Sequence, residues 1–198
     1  HISKLFEPYE KQLKTEAGNL TCDNMKTSDG FSDLLTHQKI VRDYINMYTP
    51  YRGLLLYHGL GSGKTCSSIA IAEGLKDTRK IMVMTPASLE MNYFKELKKC
   101  GDPMYKKKQY WDFVNIIEKP DELETLSSVL QIPKEDIVKK KGAWMVDVTK
   151  PPNYDTLTTD QAASLDDQLN IMIQMKYQFI RYNGIRMSDF ESMSNNFN

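Results

Sequence analysis

The chain has 198 residues, of which 40% are hydrophobic and 26% charged, enough apolar content for one globular domain of ordinary size, or one domain with an insertion. Its 26 Lys and Arg balance 26 Asp and Glu, so global charge does not mark a nucleic-acid binder, and any basic surface must be local. No apolar run approaches the roughly 20 residues of a membrane span, and the mixed, charged stretch His1-Ile2-Ser3-Lys4-Leu5-Phe6-Glu7 does not read as a signal peptide.

Residues 1–33 are polar and weakly patterned, with turn signals at Gly18-Asn19 and Ser28-Asp29-Gly30, and read as an N-terminal extension. Leu34 to Ile45 predicts a helix, broken by Thr49-Pro50-Tyr51-Arg52-Gly53. The apolar run to Tyr57 predicts a buried strand over 53–57. It is followed by His58-Gly59-Leu60-Gly61-Ser62-Gly63-Lys64-Thr65 and a helix from Lys64 to about Leu75. Lys80-Ile81-Met82-Val83-Met84-Thr85 predicts a parallel strand buried on both faces; Pro86 ends it, and a helix runs to about Lys99. Strand, helix, strand, helix is the order of a parallel α/β sheet.

From Gly101 the rhythm changes. Helices are expected over Asp121–Leu130 and after Pro133. A strand is expected over Ala143–Val148, and a further helix from the capping box at Thr158 and Gln161 to about Lys176. Trp111, Phe113 and Trp144 supply a small core, and Lys106-Lys107-Lys108 and Lys139-Lys140-Lys141 are either solvated faces or phosphate contacts. Connections in α/β units usually take about 2–6 residues, so residues 101–176 read as an inserted, mainly helical subdomain. Tyr177 to Tyr182 predicts a returning strand, and Ser188-Asp189-Phe190-Glu191 is a second capping-box match. The expected organisation is an extension at 1–33, the first part of an α/β domain at 34–100, the insertion at 101–176, and a return to the α/β domain at 177–198.

The segment 58–65 carries the chemistry. Cβ-free glycines let backbone N–H groups curl around an anionic phosphate, and the following helix aims its positive end at the same point. Lys64 would reach the β- and γ-phosphates, and the Thr65 hydroxyl would join a Mg²⁺ shell. His58 stands where the usual phosphate-loop pattern has its first glycine, so the strict pattern is missed by one residue. Residues His58, Gly59, Leu60, Gly61, Ser62, Gly63, Lys64, Thr65 and Cys66 are the expected ATP-binding set, with Lys64 and Thr65 nearest the chemistry. Cys22, Cys66 and Cys100 are odd in number and widely spaced, without zinc spacing. They predict no disulfide framework and an intracellular, reducing compartment.

The blocks Leu35-Thr36-His37-Gln38-Lys39, Tyr51 to Thr65 and Phe179-Ile180-Arg181-Tyr182-Asn183-Gly184 are similar to segments of superfamily 2 helicases and translocases. They resemble above all the helicases and early-transcription-factor ATPases of large nucleocytoplasmic DNA viruses. The matching stretches cover roughly 34–99 and 177–185. The resemblance implies a RecA-like phosphate-loop domain, here incomplete, that uses ATP and Mg²⁺. It implies that Gln38 reads the adenine edge, the alternative being a surface glutamine on a helix. It further implies that Thr85, Pro86 and Ser88 touch a DNA or RNA backbone, with Tyr182 and Asn183 as weaker companions. Equally, Pro86 stops a strand, Ser88 caps a helix, and Tyr182 belongs to a core. A virion or host-cell setting and contact with viral transcription machinery follow from the same likeness.

Hydrolysis also needs an acidic pair at a strand end and an arginine at the γ-phosphate. Asp121-Glu122, Asp147 and Asp166-Asp167 do not stand in the required context. The expectation is a sequence cut from a longer protein ahead of that pair, binding ATP weakly and turning it over poorly by itself. Three functions remain open: an ATP-driven nucleic-acid motor, an ATPase of a transcription or remodelling factor without strand separation, and a non-catalytic interaction fragment.

Overall fold

The computed structural model describes residues 2–19, 34–45 and 49–193. In chain order the elements are α1 (Ile2–Asn19), α2 (Thr36–Tyr44), α3 (Lys64–Leu75), β1 (Ile81–Thr85), α4 (Ala87–Cys100), β2 (Trp111–Asn115), α5 (Glu122–Leu130), α6 (Lys134–Lys139), β3 (Gly142–Val146), α7 (Thr159–Lys176), β4 (Tyr177–Arg181) and α8 (Met187–Met193). Short 3₁₀ turns lie at Pro103–Tyr105 and Tyr154–Thr156. The chain is α/β, with a small parallel sheet flanked by helices, as a partial RecA-like arrangement requires. It divides into two compact units, and residues 101–176 contribute to both. No helix among the described residues is long and apolar enough to cross a membrane.

The first unit comprises residues 1–79, 96–110 and 146–156. Helix α2 buries Thr36, Gln38 and Val41, and α3 buries Ser67, Ile69, Ala70 and Ala72 where the two helices pack. The small residues of α3 permit that close approach. Helix α1 joins α2 through the Tyr9 hydroxyl, which donates to the Asp43 carboxylate. At the far end of α3, Lys76 bridges Glu73 (2.6 Å) and Asp102. Burial alone would depress the Lys76 ammonium, but the bonds to Asp102 and Glu73 hold it above its ordinary value. Beside it, burial pushes the Tyr105 hydroxyl up, and the Glu73 and Asp102 carboxylates push it further.

The second unit comprises residues 80–95, 111–145 and 157–198. Strands β1 and β4 run parallel, in register from Ile81 opposite Tyr177 to Thr85 opposite Arg181. Phe94 of α4 stacks on Phe179 of β4 at 4.5 Å between centroids. The capping box at α7 forms as expected: Gln161 N–H donates to Thr158 Oγ1 at 3.3 Å, and Thr158 N–H to Gln161 Oε1 at 3.0 Å. Helix α7 then buries Leu165, Leu169, Met172 and Ile173 and runs directly into β4. Strands β2 and β3 are antiparallel: Ile116 N–H donates to Lys141 C=O at one end, and Asp147 N–H to Tyr110 C=O at the other. Gly142 is needed where the strands close up, because a Cβ there would meet Val114 O at 2.3 Å.

Several expectations change. Residues 51–59 form no strand, and Leu55 and Tyr57 are 85% and 93% exposed. An apolar run becomes a strand only when a neighbour accepts its N–H and C=O groups, and within the first unit no described strand lies beside it. Strand β1 is buried on one face only: Val83 is covered, whereas Met82 and Met84 are 41% and 49% exposed. The polar N-terminus contains an 18-residue helix, α1. Trp111–Asn115 forms a strand where the sequence pattern assigns no element; Trp111 and Trp144 are buried as expected, whereas Phe113 is 38% exposed. Helix α8 begins at Met187, one residue ahead of the expected cap at Ser188, and Arg186 N–H donates to Asp189 Oδ2 (2.8 Å). Finally, Cys66 and Cys100 are joined as a disulfide, against the expectation from their spacing. Residues 34 apart in sequence meet because the start of α3 and the end of α4 share the first unit. Cys22 lies outside the described residues.

Candidate functional site

The loop 58–65 is held in the shape that its glycines permit. Gly61 and Gly63 have φ of 79° and 75°, the left-handed region in which a side chain is strained. Gly63 is doubly constrained, since a Cβ on it would sit 2.5 Å from Gln38 Nε2. The loop closes on its own carbonyls. Gly59 C=O accepts from Ser62 Oγ at 2.8 Å and from Lys64 Nζ at 2.9 Å, and His58 C=O accepts from Lys64 Nζ at 3.1 Å. The Lys64 ammonium therefore points into the loop, bonded to carbonyls that a more strongly accepting anion can replace. Gly63 C=O accepts from Ser67 N–H at 2.9 Å and opens the backbone ladder of α3. Thr65 and Cys66 occupy the first turn of that helix, where N–H groups lack intrahelical acceptors.

Gln38 is 5% exposed and is not a surface glutamine. Its Oε1 accepts from Leu35 N–H at 3.0 Å, completing the start of α2, and its Nε2 donates to Gly63 C=O at 3.4 Å. Both amide ends are thus engaged with backbone, one of them in the phosphate-loop segment. Residue 37 adds a contact that the sequence did not signal. His37 Nε2 lies 3.0 Å from Ser62 O, and its ring meets the His58 ring edge-on at 5.6 Å. His58 Nδ1 is buried and has no hydrogen-bond partner among the described residues. The polar residue in place of the first glycine therefore packs under the loop against His37.

In the second unit, the parallel register brings together the two segments expected at a nucleic-acid backbone. Thr85 ends β1 opposite Arg181, and Tyr182 N–H donates to Thr85 C=O at 3.3 Å. Thr85, Pro86 and Ser88 therefore share one end of the β1–β4 pair with Tyr182 and Asn183. Tyr182 is 51% exposed, so it is not core, and the Thr85 hydroxyl is buried without a hydrogen-bond partner among the described residues. Arg181 Nε donates to Glu90 Oε2 of α4 at 2.6 Å, a bond that holds the guanidinium above its ordinary value.

A loop with a lysine folded onto its own carbonyls, two left-handed glycines and a helix start is chemically suited to holding a polyphosphate. The comparisons with known proteins run in the same direction. A protein of Acanthamoeba polyphaga mimivirus, named as a candidate ATP-dependent RNA helicase, is 51% identical over 69 residues, 34% of this chain and 12% of that protein. A second mimivirus protein with the same kind of name is 34% identical over 110 residues, covering 52% of this chain and 9% of that protein. A candidate helicase of Frog virus 3 (isolate Goorha) is 43% identical over 70 residues, 33% of this chain and 7% of that protein. The chain thus resembles helicases of large DNA viruses, and spans 12% or less of the length of these relatives. No protein-family profile and no solved structure matches it.

Proposed function

We propose that this chain is the ATP-binding part of a superfamily 2 helicase or nucleic-acid translocase, in which the full-length protein couples ATP hydrolysis to movement along DNA or RNA. The observation that carries this reading is Lys64, folded into a glycine-shaped loop and donating to the carbonyls of His58 and Gly59. A phosphate entering the loop would take over the ammonium and the first-turn N–H groups of α3. The Thr65 hydroxyl, on that first turn, is the side chain that would hold Mg²⁺, which when bound supplies charge neutralisation at the β- and γ-phosphates. Gln38 fixes the loop through Gly63 C=O, a positioning role that stands beside the adenine reading implied by resemblance. Thr85, Pro86, Ser88, Tyr182 and Asn183 would grip a sugar–phosphate backbone without reading sequence. The names of the viral relatives support use of ATP and contact with nucleic acid.

Calorimetric titration of MgATP into the chain and its Lys64→Ala variant tests this. Removing a charge-assisted bond should weaken binding by roughly 10- to 100-fold. Equal affinity in the two proteins would refute the assignment.

A further inference from the structure

Cys66 follows Lys64 and Thr65 directly and is the third residue of α3, while Cys100 closes α4. In the first unit the two are bonded through sulfur, with Cα atoms 5.7 Å apart, a separation that a bridge spans without backbone movement. Glu96 lies one turn before Cys100 on α4, with Oε2 3.7 Å from Cys66 Sγ and Oε1 bonded by Lys99 at 2.8 Å. Cys100 is buried, with its sulfur 3.2 Å from Glu96 C=O, and Cys66 is half-buried. An attacking reagent therefore meets Cys66 first.

We propose that Cys66 and Cys100 are a reversible thiol–disulfide site that governs nucleotide binding at the loop 58–65; the coupling rests on the phosphate-loop reading, the modification site does not. The start of a helix favours the thiolate, so Cys66 is the nucleophile of the pair. Its proton passes to the Glu96 carboxylate. The thiolate attacks a small-molecule disulfide, forming a mixed disulfide at Cys66 and releasing one thiol. Cys100 then loses its proton to solvent and attacks Cys66 Sγ, closing the protein bridge and releasing the second thiol. Two protein thiols have given up two electrons and two protons, and one small disulfide has become two thiols.

The coupling follows from position. In the bridged form the first turn of α3 is tied to the end of α4, and Lys64 rests on carbonyls 58 and 59. Nucleotide binding requires Lys64 to leave those carbonyls and the same first turn to close on the phosphates. A bridge at the third residue of that turn opposes the adjustment. By linkage, bound nucleotide must oppose the bridge equally.

The test uses the full chain in a Cys22→Ser background, so that only the pair is read. The protein is equilibrated in oxidised or reduced glutathione, alkylated and weighed intact, and MgATP affinity is measured in each state. The expected result is no alkylation after oxidation and two alkylations after reduction, with MgATP binding about fivefold or more weaker in the bridged protein. Cys100→Ser should form no protein bridge and, in oxidised glutathione, should stop at one mixed disulfide on Cys66. Two alkylations in every buffer would overturn the site, and equal affinity in bridged and reduced protein would overturn the coupling. One Zn²⁺ per reduced chain, lost in Cys100→Ser, would replace the switch by a metal site. A Lys64→Ala protein that bridges normally but binds MgATP like the wild type would sink the phosphate-loop reading and the coupling, leaving the modification site standing.

Discussion

Gln38 in the first unit and Gln168 in the second, two of the three glutamines buried among the described residues, hold backbone groups with different tightness. In the second unit, Gln168 of α7 clamps Trp144 of β3 from both sides: its Oε1 accepts from Trp144 N–H at 2.7 Å, and its Nε2 donates to Trp144 C=O at 2.8 Å. In the first unit, Gln38 spreads its two ends, one to Leu35 at 3.0 Å and one to Gly63 at 3.4 Å. The chemistry is the same, a primary amide on backbone groups. The first arrangement replaces a missing strand neighbour and fixes a core. The second leaves a long bond on the loop proposed to hold a phosphate. On the proposed reading, the loop that adjusts on binding is held by the longer bond and the core by the shorter ones.

The largest stability effect should come from breaking the tight clamp. Gln168→Ala would leave the Trp144 N–H and C=O unpaired in a buried site, at about 1–3 kcal/mol for each group. Thermal melting should show the loss, and Gln168→Glu should recover only part of it, since a carboxylate accepts from the N–H but repels the C=O. A melting temperature unchanged in Gln168→Ala would show that water enters and that the clamp is not a core element.

The loose clamp should respond differently. Gln38→Glu keeps the acceptor for Leu35 N–H but sets a second acceptor against Gly63 C=O. Stability should fall by less than in Gln168→Ala, roughly 1 kcal/mol, because the lost bond is long and near solvent. MgATP and MgGTP binding should both weaken, since the loop itself is displaced. If only MgATP weakens, Gln38 reads the base and its contact with Gly63 is incidental.

How much of this was legible beforehand follows the same division. Local signals survived: the capping box at Thr158 and Gln161, the apolar strand over 81–85, the strand returning at 177, and the glycine pattern whose left-handed φ values at 61 and 63 explain it. These depend on neighbours in sequence. What failed depends on partners far away. The run 53–57 has strand composition without a described strand beside it, and Met82 and Met84 have core chemistry without cover. The bond between Cys66 and Cys100 has no spacing signature, because two helix ends meet in space rather than in sequence. At the candidate site, Lys64 and the glycines could be read from the motif, whereas the support from His37 and the burial of Gln38 needed the packing of α2 on α3. Nor did α1 stand out: among its described side chains, Tyr9 bonds Asp43 and the Phe6 ring lies 6.1 Å from that of Tyr44, contacts made with α2 and not with sequence neighbours.

That anchor gives the smallest and most specific prediction. Burial pushes the Asp43 carboxyl up, but bonds from Arg42 and Tyr9 outweigh it, and its folded value lies below the ordinary 3.8. A depressed carboxyl stabilises the fold above its unfolded value, and the contribution fades as pH falls through the lowered folded value. Tyr9 is held above its ordinary 10.0, first by its bond to Asp43 and then by burial, so its share fades as pH rises through the raised value. The tie between α1 and α2 is therefore complete from about pH 4 to about pH 10 and weakens on either side. Because the groups are partly solvated, the effect at neutral pH should stay below about 1 kcal/mol. The melting-temperature difference between the wild type and Asp43→Asn reads it directly. The difference should be constant across neutral pH and should shrink toward zero in acid. The clamp at Gln168, an amide on backbone, contains nothing that titrates, so the difference between the wild type and Gln168→Ala should not follow that curve. Parallel curves for the two variants would mean that both units unfold together in acid and that the Asp43 carboxylate contributes nothing of its own.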